Sequence, residues 1–163
     1  MFLRDDVTVL LKDITGQIQP LPTDDRERLI QGGRHYSEML PLEYVPSDEY
    51  VAAYENALGL FAPETARAVA AVTDEIVGLG ECVLVSLARA GTPLGVLVRR
   101  YARYRYGADL PHYTISIIRG RGIDRNAVRD IISAHPDKRL IFFDGWTGKG
   151  AIANTLAAEL GEL

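Results

Sequence analysis

Residues 82–93 read CVLVSLARAGTP, and this stretch decides the fold class. Its first six residues are apolar except for Ser86, and Gly91 and Pro93 follow closely. A short apolar run that ends in turn-forming residues is typical of a strand buried on both faces of a parallel sheet. From Pro93 to Tyr104 the apolar residues recur at helical spacing. The stretch therefore predicts a strand, a loop and a crossover helix.

The same unit recurs twice towards the C-terminus. Residues 113–118 form a second predicted strand, and Asp124 caps a helix that His135-Pro136 ends. Residues 138–143 form a third strand, followed by a glycine-rich loop and a helix over 151–159. Alternating strands and helices imply right-handed crossovers and a parallel sheet. The predicted fold class is α/β.

The N-terminal half has a different pattern. Residues 7–14 alternate loosely and suggest a strand, and three helices are expected, over about 23–31, 48–60 and 63–77. We predict a mostly helical lead-in over residues 1–80 that packs on an α/β core over residues 81–163, in one compact domain.

Composition excludes several classes of protein. The 163 residues are 47% hydrophobic and 25% charged, which is typical of a globular protein. No apolar run is long enough to cross a membrane, and Arg4-Asp5-Asp6 interrupts the start before a signal peptide could form. The single cysteine, Cys82, has no partner for an internal disulfide, so a cytoplasmic location is expected.

Charge is unevenly distributed along the chain. Residues 82–149 carry a net +7, whereas residues 1–81 carry a net −9. A basic segment within an acidic protein suggests that the second half faces an anion. The alternative is that its arginines form a solvated helix face.

The loop after the third predicted strand has the composition of a phosphate cradle. Its glycines allow backbone N–H groups to turn inward, the following helix adds its positive end, and a lysine and a threonine add further donors. The leading Asp144 suits a sugar hydroxyl or a magnesium-bound water. A glycine-rich turn without a ligand is the alternative. The loop comprises Asp144, Gly145, Trp146, Thr147, Gly148, Lys149 and Gly150.

The loop after the first predicted strand offers a second anion site by the same physics, because an arginine and a glycine precede a helix N-terminus. Its candidate residues are Arg89, Ala90, Gly91 and Thr92. In a parallel sheet both loops lie at the carboxyl ends of strands, where ligands bind.

Together the two loops resemble those of the type I phosphoribosyltransferases. The resemblance implies that Arg89–Thr92 hold pyrophosphate, that 144–150 hold ribose 5-phosphate, and that Mg²⁺ accompanies phosphoribosyl pyrophosphate. It also implies a mobile loop at Arg119 and Arg121, which would stabilise the leaving pyrophosphate as catalytic residues.

The wording of three motifs is similar to a narrower group. These motifs are HYSEMLP at 35–41, SLARAGT at 86–92 and FDGWTGKG at 143–150. The group is the phosphoribosyltransferase-like proteins of bacterial tellurium-resistance and stress gene clusters, also labelled cysteine protease StiP. This chain departs from the phosphoribosyltransferase pattern in having one acid, a shorter loop and Trp146 where threonine is usual. The resemblance also implies about two further strands, so we expect the C-terminal part of the sheet to be missing.

The expected function is transfer of a phosphoribosyl group to an unidentified acceptor. The alternatives are a non-catalytic sensor of a nucleotide or sugar phosphate, and a cysteine hydrolase whose nucleophile lies outside this sequence. A third loop is a candidate substrate loop, or alternatively has a capping or packing role; it comprises His35, Tyr36, Ser37 and Glu38.

Two further expectations concern the role of Cys82 and the binding partner. Cys82 opens a buried strand and is not expected to act as a nucleophile. The expected partner is a small phosphorylated molecule, with no membrane and no nucleic acid; a homodimer is left open.

Overall fold

A computed structural model of the protein describes residue 3 and residues 5–161. The chain divides into two compact units, one formed by residues 1–11 and 63–163 and the other by residues 12–62. The predicted boundary at residues 80 and 81 stays a prediction. In chain order the elements are β1 (Thr8–Val9), β2 (Pro20–Leu21), α1 (Thr23–Gln31), a 3₁₀ turn (Tyr36–Glu38), β3 (Leu40–Pro41), α2 (Asp48–Gly78), β4 (Cys82–Leu87), α3 (Gly91–Tyr106), β5 (His112–Ile115), β6 (Ile117–Ile118), β7 (Gly122–Ile123), α4 (Arg125–Ala134), β8 (Arg139–Phe143) and α5 (Ala151–Leu160).

The larger unit contains a four-stranded sheet in the order β1-β5-β4-β8, and every pairing in it is parallel. Strand β4 is central and all six of its residues are buried. The bounds predicted for this strand are confirmed. A strand that is buried on both faces needs apolar residues at nearly every position, and this run has them.

Helices cover both faces of this sheet. Alternate residues of β4, namely Val83, Val85 and Leu87, pack with α4 and with the partly buried residues of α5. Cys82 and Leu84 pack on the other face, with α3 and the C-terminal part of α2. The mixed α/β class with a parallel sheet is therefore confirmed. Within the part of the chain that the structure describes, no helix has the length and apolar character needed to span a bilayer.

The smaller unit, residues 12–62, holds α1, the 3₁₀ turn, the first part of α2 and a two-residue parallel pairing between β2 and β3. Met39 is its one buried residue. Hydrophobic burial within this unit is therefore small compared with that of a stable domain, which normally buries many apolar side chains.

The structure corrects the prediction of two separate helices over 48–60 and 63–77. A single helix, α2, runs from Asp48 to Gly78 with Pro63 inside it. Proline removes one backbone hydrogen bond and normally disfavours a helix interior. Alanine-rich sequence on both sides of Pro63 has strong helix propensity, and here the helix continues through the proline.

The second predicted strand is also corrected. Residues 113–118 do not form one strand, because β5 ends at Ile115 and β6 pairs antiparallel with β7 as a short hairpin. Gly120 and Gly122 have φ values of 78° and 86°, which only glycine adopts readily, and they allow the tight return. At the N-terminus, the strand predicted over 7–14 is reduced to Thr8–Val9.

A buried carboxylate anchors the segment that leads into β1. Asp6 receives hydrogen bonds from Arg100 of α3 at 2.9 Å and 2.5 Å, and its Oδ2 also accepts from the Leu3 backbone N–H. The bonded Arg100 guanidinium lowers the pKa of the Asp6 carboxyl from its ordinary 3.8 to about 2, although burial acts in the opposite direction. The ionised form is therefore the one that holds this segment.

This pairing predicts acid sensitivity. Because the pKa is lower in the folded state, the stabilisation is present above about pH 4 and is lost as the pH falls towards about 2. We expect Asp6→Asn to lower the free energy of unfolding at pH 7 by about 1 to 2 kcal/mol, allowing for solvent around Arg100. Urea unfolding at pH 7 and pH 3 measures this, and equal pH dependence of both proteins would contradict it.

Candidate functional site

The loops after β4 and β8 lie side by side. The two strands are paired in parallel register, with Ser86 opposite Phe143, so both end at the same edge of the sheet. The chain then leaves β4 towards α3 on one face and leaves β8 towards α5 on the other. A crevice forms where neighbouring strands send their connections to opposite faces, and ligands bind at such positions in α/β sheets. The structure thus brings together the two predicted phosphate loops.

Two glycines allow the loops to approach this closely. A Cβ on Gly91 would overlap the Phe143 carbonyl group, whose carbon would lie 2.9 Å away. A Cβ on Gly145 would lie 2.5 Å from the Cβ of Ala90 and 2.9 Å from its carbonyl oxygen. Each loop therefore has a glycine where the other loop touches it. The glycines act here as contact positions between loops, in addition to any freedom they give the backbone.

An open cavity of about 480 Å³ lies at this corner. Residues from both loops line it: Ala88, Arg89, Ala90, Pro93, Asp144 and Trp146. Arg89 and Trp146 are exposed, and Asp144 is half-buried. The cavity thus combines a cation, a carboxylate and an aromatic surface, a mixture that suits a ligand with both polar and apolar parts.

The loop after β8 forms two successive turns. The Trp146 N–H donates to Asp144 Oδ1 at 3.2 Å, and the Gly150 N–H donates to the Thr147 carbonyl at 3.1 Å. Gly150 has φ 68° and leads into α5. Thr147, Gly148 and Lys149 are exposed and do not line the cavity. This part of the predicted cradle is accessible, but it borders the cavity instead of forming its wall.

The loop after β4 presents fewer side chains than its sequence suggested. Thr92 is buried, and its hydroxyl lies 2.9 Å from the hydroxyl of Thr114 in the core. Gly91 is buried as well, so Arg89 and Ala90 are the two of the four predicted residues that line the cavity, next to Ala88.

The remaining predicted residues lie elsewhere. Arg119 is in the turn between β6 and β7, next to Gly120, and Arg121 follows it; neither residue lines the cavity at the corner. His35 begins the 3₁₀ turn in the smaller unit, where its Nδ1 accepts from the Ser37 N–H at 3.3 Å. That hydrogen bond is a capping interaction, and the substrate-binding role of this loop stays a prediction.

Sequence reasoning missed a buried polar cluster directly beneath the loop after β4. Ser86 and His112 lie within hydrogen-bond distance, 2.8 Å apart, and both are buried. No sequence motif surrounds His112, and its partners Asp6 and Ser86 are distant from it in the chain. The one available signal was a serine inside an otherwise apolar strand, since a buried hydroxyl requires a partner.

The Mg²⁺ that the resemblance implied stays an untested prediction. Within the described residues, no group of three or more histidine, cysteine, aspartate or glutamate side chains is arranged to hold a metal ion. Asp144 is the carboxylate that lines the corner cavity.

Comparison with known proteins identifies the family. A family model described as "Tellurite-like stress resistance cysteine protease StiP" matches residues 1–163, the full length of the sequence. The chain belongs to the StiP family. The curated "Cysteine protease StiP" of Acinetobacter baylyi (strain ATCC 33305 / BD413 / ADP1) is 44% identical to it over 163 residues, which cover 98% of this chain and 42% of the relative. No solved structure matches.

This result overturns the main functional prediction. The family model and the curated relative are both described as cysteine proteases, so the prediction of a phosphoribosyltransferase is wrong, and the predicted nucleotide binding and magnesium dependence gain no support. The stress-resistance association of the narrower group is confirmed by the family description. The two loop motifs were correctly linked to this group, but loop composition alone does not define a reaction.

The loop contact predicts a specific sensitivity to added side chains. We expect Gly91→Ala to lower the free energy of unfolding by about 1 to 3 kcal/mol, because the new methyl group meets backbone that cannot rotate away. Gly148→Ala is the matched control in the neighbouring loop, since no atom lies within 4 Å of its added Cβ. We expect that change to stay within about 0.5 kcal/mol. Urea unfolding of the two variants decides, and similar losses would contradict the contact.

Proposed function

We propose that this chain takes part in cysteine-dependent hydrolysis of peptide bonds and that the nucleophilic thiol lies outside residues 1–163. The observation that carries the proposal is the match of residues 1–163 to a cysteine protease family. The single cysteine of these residues is buried in the central strand β4. The chain spans 42% of the length of the curated relative, so a catalytic thiol has room elsewhere in a protein of that size.

The environment of Cys82 argues against a nucleophilic role. The side chain is 1% exposed and packs among apolar residues, including Leu84 and Val98. Burial raises the pKa of the Cys82 thiol, and the opposing effects of Lys138 and Arg139 are smaller. A catalytic cysteine needs an accessible thiolate, which an electropositive and solvated setting favours. Cys82 also opens β4, whereas the corner cavity lies where β4 ends.

The corner between the loops is the part of this chain best suited to contact a substrate. Arg89 gives it a cation that could bind a carboxylate of a peptide, and Trp146, which is 77% exposed, gives it a flat apolar surface. We assign Arg89, Ala90, Asp144 and Trp146 to substrate binding within this proposal. The accessible Thr147, Gly148 and Lys149 border the same surface.

Two finer assignments belong to the same proposal. We propose that the larger unit shares its architecture with the type I phosphoribosyltransferases without sharing their reaction; the placement of loops after two adjacent parallel strands supports this. A cytoplasmic location is also proposed, on the basis of a single buried cysteine without a disulfide.

Thiol chemistry tests the position of the nucleophile. We expect Cys82 in the folded 163-residue chain to react with a disulfide reagent such as DTNB at least about 100-fold more slowly than in urea, because reaction requires an exposed thiolate. The comparison of the two rates is internally controlled, since the chain has one cysteine. Rapid reaction of the folded chain would show that the thiol is accessible.

Peptide hydrolysis tests the proposal as a whole. We expect the A. baylyi relative to cleave a casein-derived peptide mixture and to lose that activity on treatment with iodoacetamide, which alkylates thiolates. The 163-residue chain alone should show no hydrolysis that iodoacetamide abolishes. Thiol-sensitive cleavage by this chain that disappears in Cys82→Ala would place the nucleophile at Cys82. A relative that is insensitive to alkylation would refute the peptidase proposal.

A further inference from the structure

A chain of three polar contacts runs through the core beneath the corner cavity. His112 on β5 is 2% exposed and Ser86 on β4 is 0% exposed. His112 Nδ1 lies 2.8 Å from the backbone carbonyl oxygen of Asp6, and its Nε2 lies 2.8 Å from Ser86 Oγ. Ser86 Oγ in turn lies 3.0 Å from the carbonyl oxygen of Gly91, the first residue of α3. The contacts thus connect the N-terminal segment to the loop that lines the cavity.

The number of hydrogens available depends on the protonation state of His112. Both ends of this chain of contacts are carbonyl oxygens, which can only accept, so three contacts require three hydrogens. Ser86 supplies one. A neutral imidazole supplies one more, and an imidazolium supplies two. All three hydrogen bonds form together only when His112 is protonated.

Neutral His112 has two arrangements, and each gives up a different bond. With the hydrogen on Nδ1, the ring donates to Asp6 and Ser86 donates to Nε2, so the contact with Gly91 has no hydrogen. With the hydrogen on Nε2, the ring donates to Ser86 and Ser86 donates to Gly91, so Nδ1 faces the Asp6 carbonyl without one. The neutral molecule therefore holds either the N-terminal segment or the start of α3 through this chain, but not both.

The fold leaves room for this chain of contacts at one position in α3. A Cβ on Gly95 would overlap Ser86 Oγ and the His112 ring, whose Cε1 would lie 2.8 Å away. Glycine in the interior of a helix destabilises it by about 0.5 to 1 kcal/mol relative to alanine, so its presence here has a packing reason. Gly95 thus provides the space that the side chains of Ser86 and His112 occupy in the core.

We propose that His112 is a proton-dependent positioning residue for the loop over residues 88–91. Gain of a proton lets it bond the N-terminal segment and Ser86 at once and fixes the carbonyl of Gly91. Loss of the proton removes the hydrogen bond at one of these two ends. The inference concerns the geometry of the corner and does not depend on the peptidase proposal.

The charged groups around His112 set the pH range of this effect. Asp6, bonded by Arg100, raises the pKa of His112, and Arg99 of α3 lowers it; β4 contributes the uncharged Ser86. Burial has the largest effect and lowers the pKa of His112 below its ordinary value of 6.5. The unfolded chain therefore binds the proton more readily than the folded chain. Global stability falls as the pH drops from about 6.5 towards the lower pKa of His112 in the folded chain. Order at Gly91 rises over the same range.

Those opposite trends separate positioning from a merely structural role. In the intact chain, ¹⁵N NMR of the imidazole nitrogens between about pH 7.5 and 4.5 should show His112 gaining a proton below its ordinary pKa. We expect the amide resonances of Gly91 and Thr92 to shift with the same midpoint, and the amide protection factors at these residues, which are corrected for the intrinsic exchange rate, to rise on acidification. His135→Gln is the control variant, because that histidine is bonded to Tyr113, and it should leave the shifts at Gly91 unchanged.

Ser86→Ala removes the connection and leaves the contact between His112 and Asp6 in place. We expect His112 still to titrate in this variant, with complete loss of the coupled shift at Gly91. An unchanged shift at Gly91 in Ser86→Ala would overturn the proposal. So would a His112 ring that stays neutral down to acid unfolding of the chain.

Discussion

Burial of β4 on both faces is the constraint on which the rest of the larger unit depends. All six residues of this strand are inside, so its even- and odd-numbered side chains fill two separate apolar layers. Helices must cover both faces, because neither layer could be left in water without losing the hydrophobic stabilisation that orders the sheet. Parallel pairing with β5 and β8 follows from the crossovers that such a three-layer arrangement requires.

Three properties of the molecule follow from that burial. Cys82 lies inside the sheet, where it packs among apolar side chains in the manner of a small apolar residue. Ser86 is the one polar side chain of the strand, and it can be there only because His112 and Gly91 offer hydrogen-bond partners. The strand also ends beside β8, which places two loops of different sequence against a common cavity.

The family assignment changes how that cavity is understood. Loops rich in glycine and basic residues at a helix N-terminus have the right physics for an anion, and this holds for a phosphate as well as for a carboxylate. The residue types alone do not distinguish the two, and the resemblance to phosphoribosyltransferases favoured phosphate. Together with the StiP match, our proposed function makes Arg89 and Trp146 a surface for a peptide.

The sequence by itself determined the α/β class, the bounds of β4 and the helix that follows Asp124. The first two depend on local apolar patterns. The third depends on a side chain that bonds its own helix, since Asp124 Oδ1 accepts from the N–H groups of Asn126 and Ala127 at 3.1 Å each. Only the tertiary structure decided the short hairpin after β5, the continuation of α2 through Pro63 and the polar contacts of His112. In the hairpin and in α2, a local preference competes with the surrounding sequence. The contacts of His112 join residues that are far apart in the sequence. His112 meets a carbonyl oxygen 106 positions away, and no periodicity in the sequence encodes that meeting.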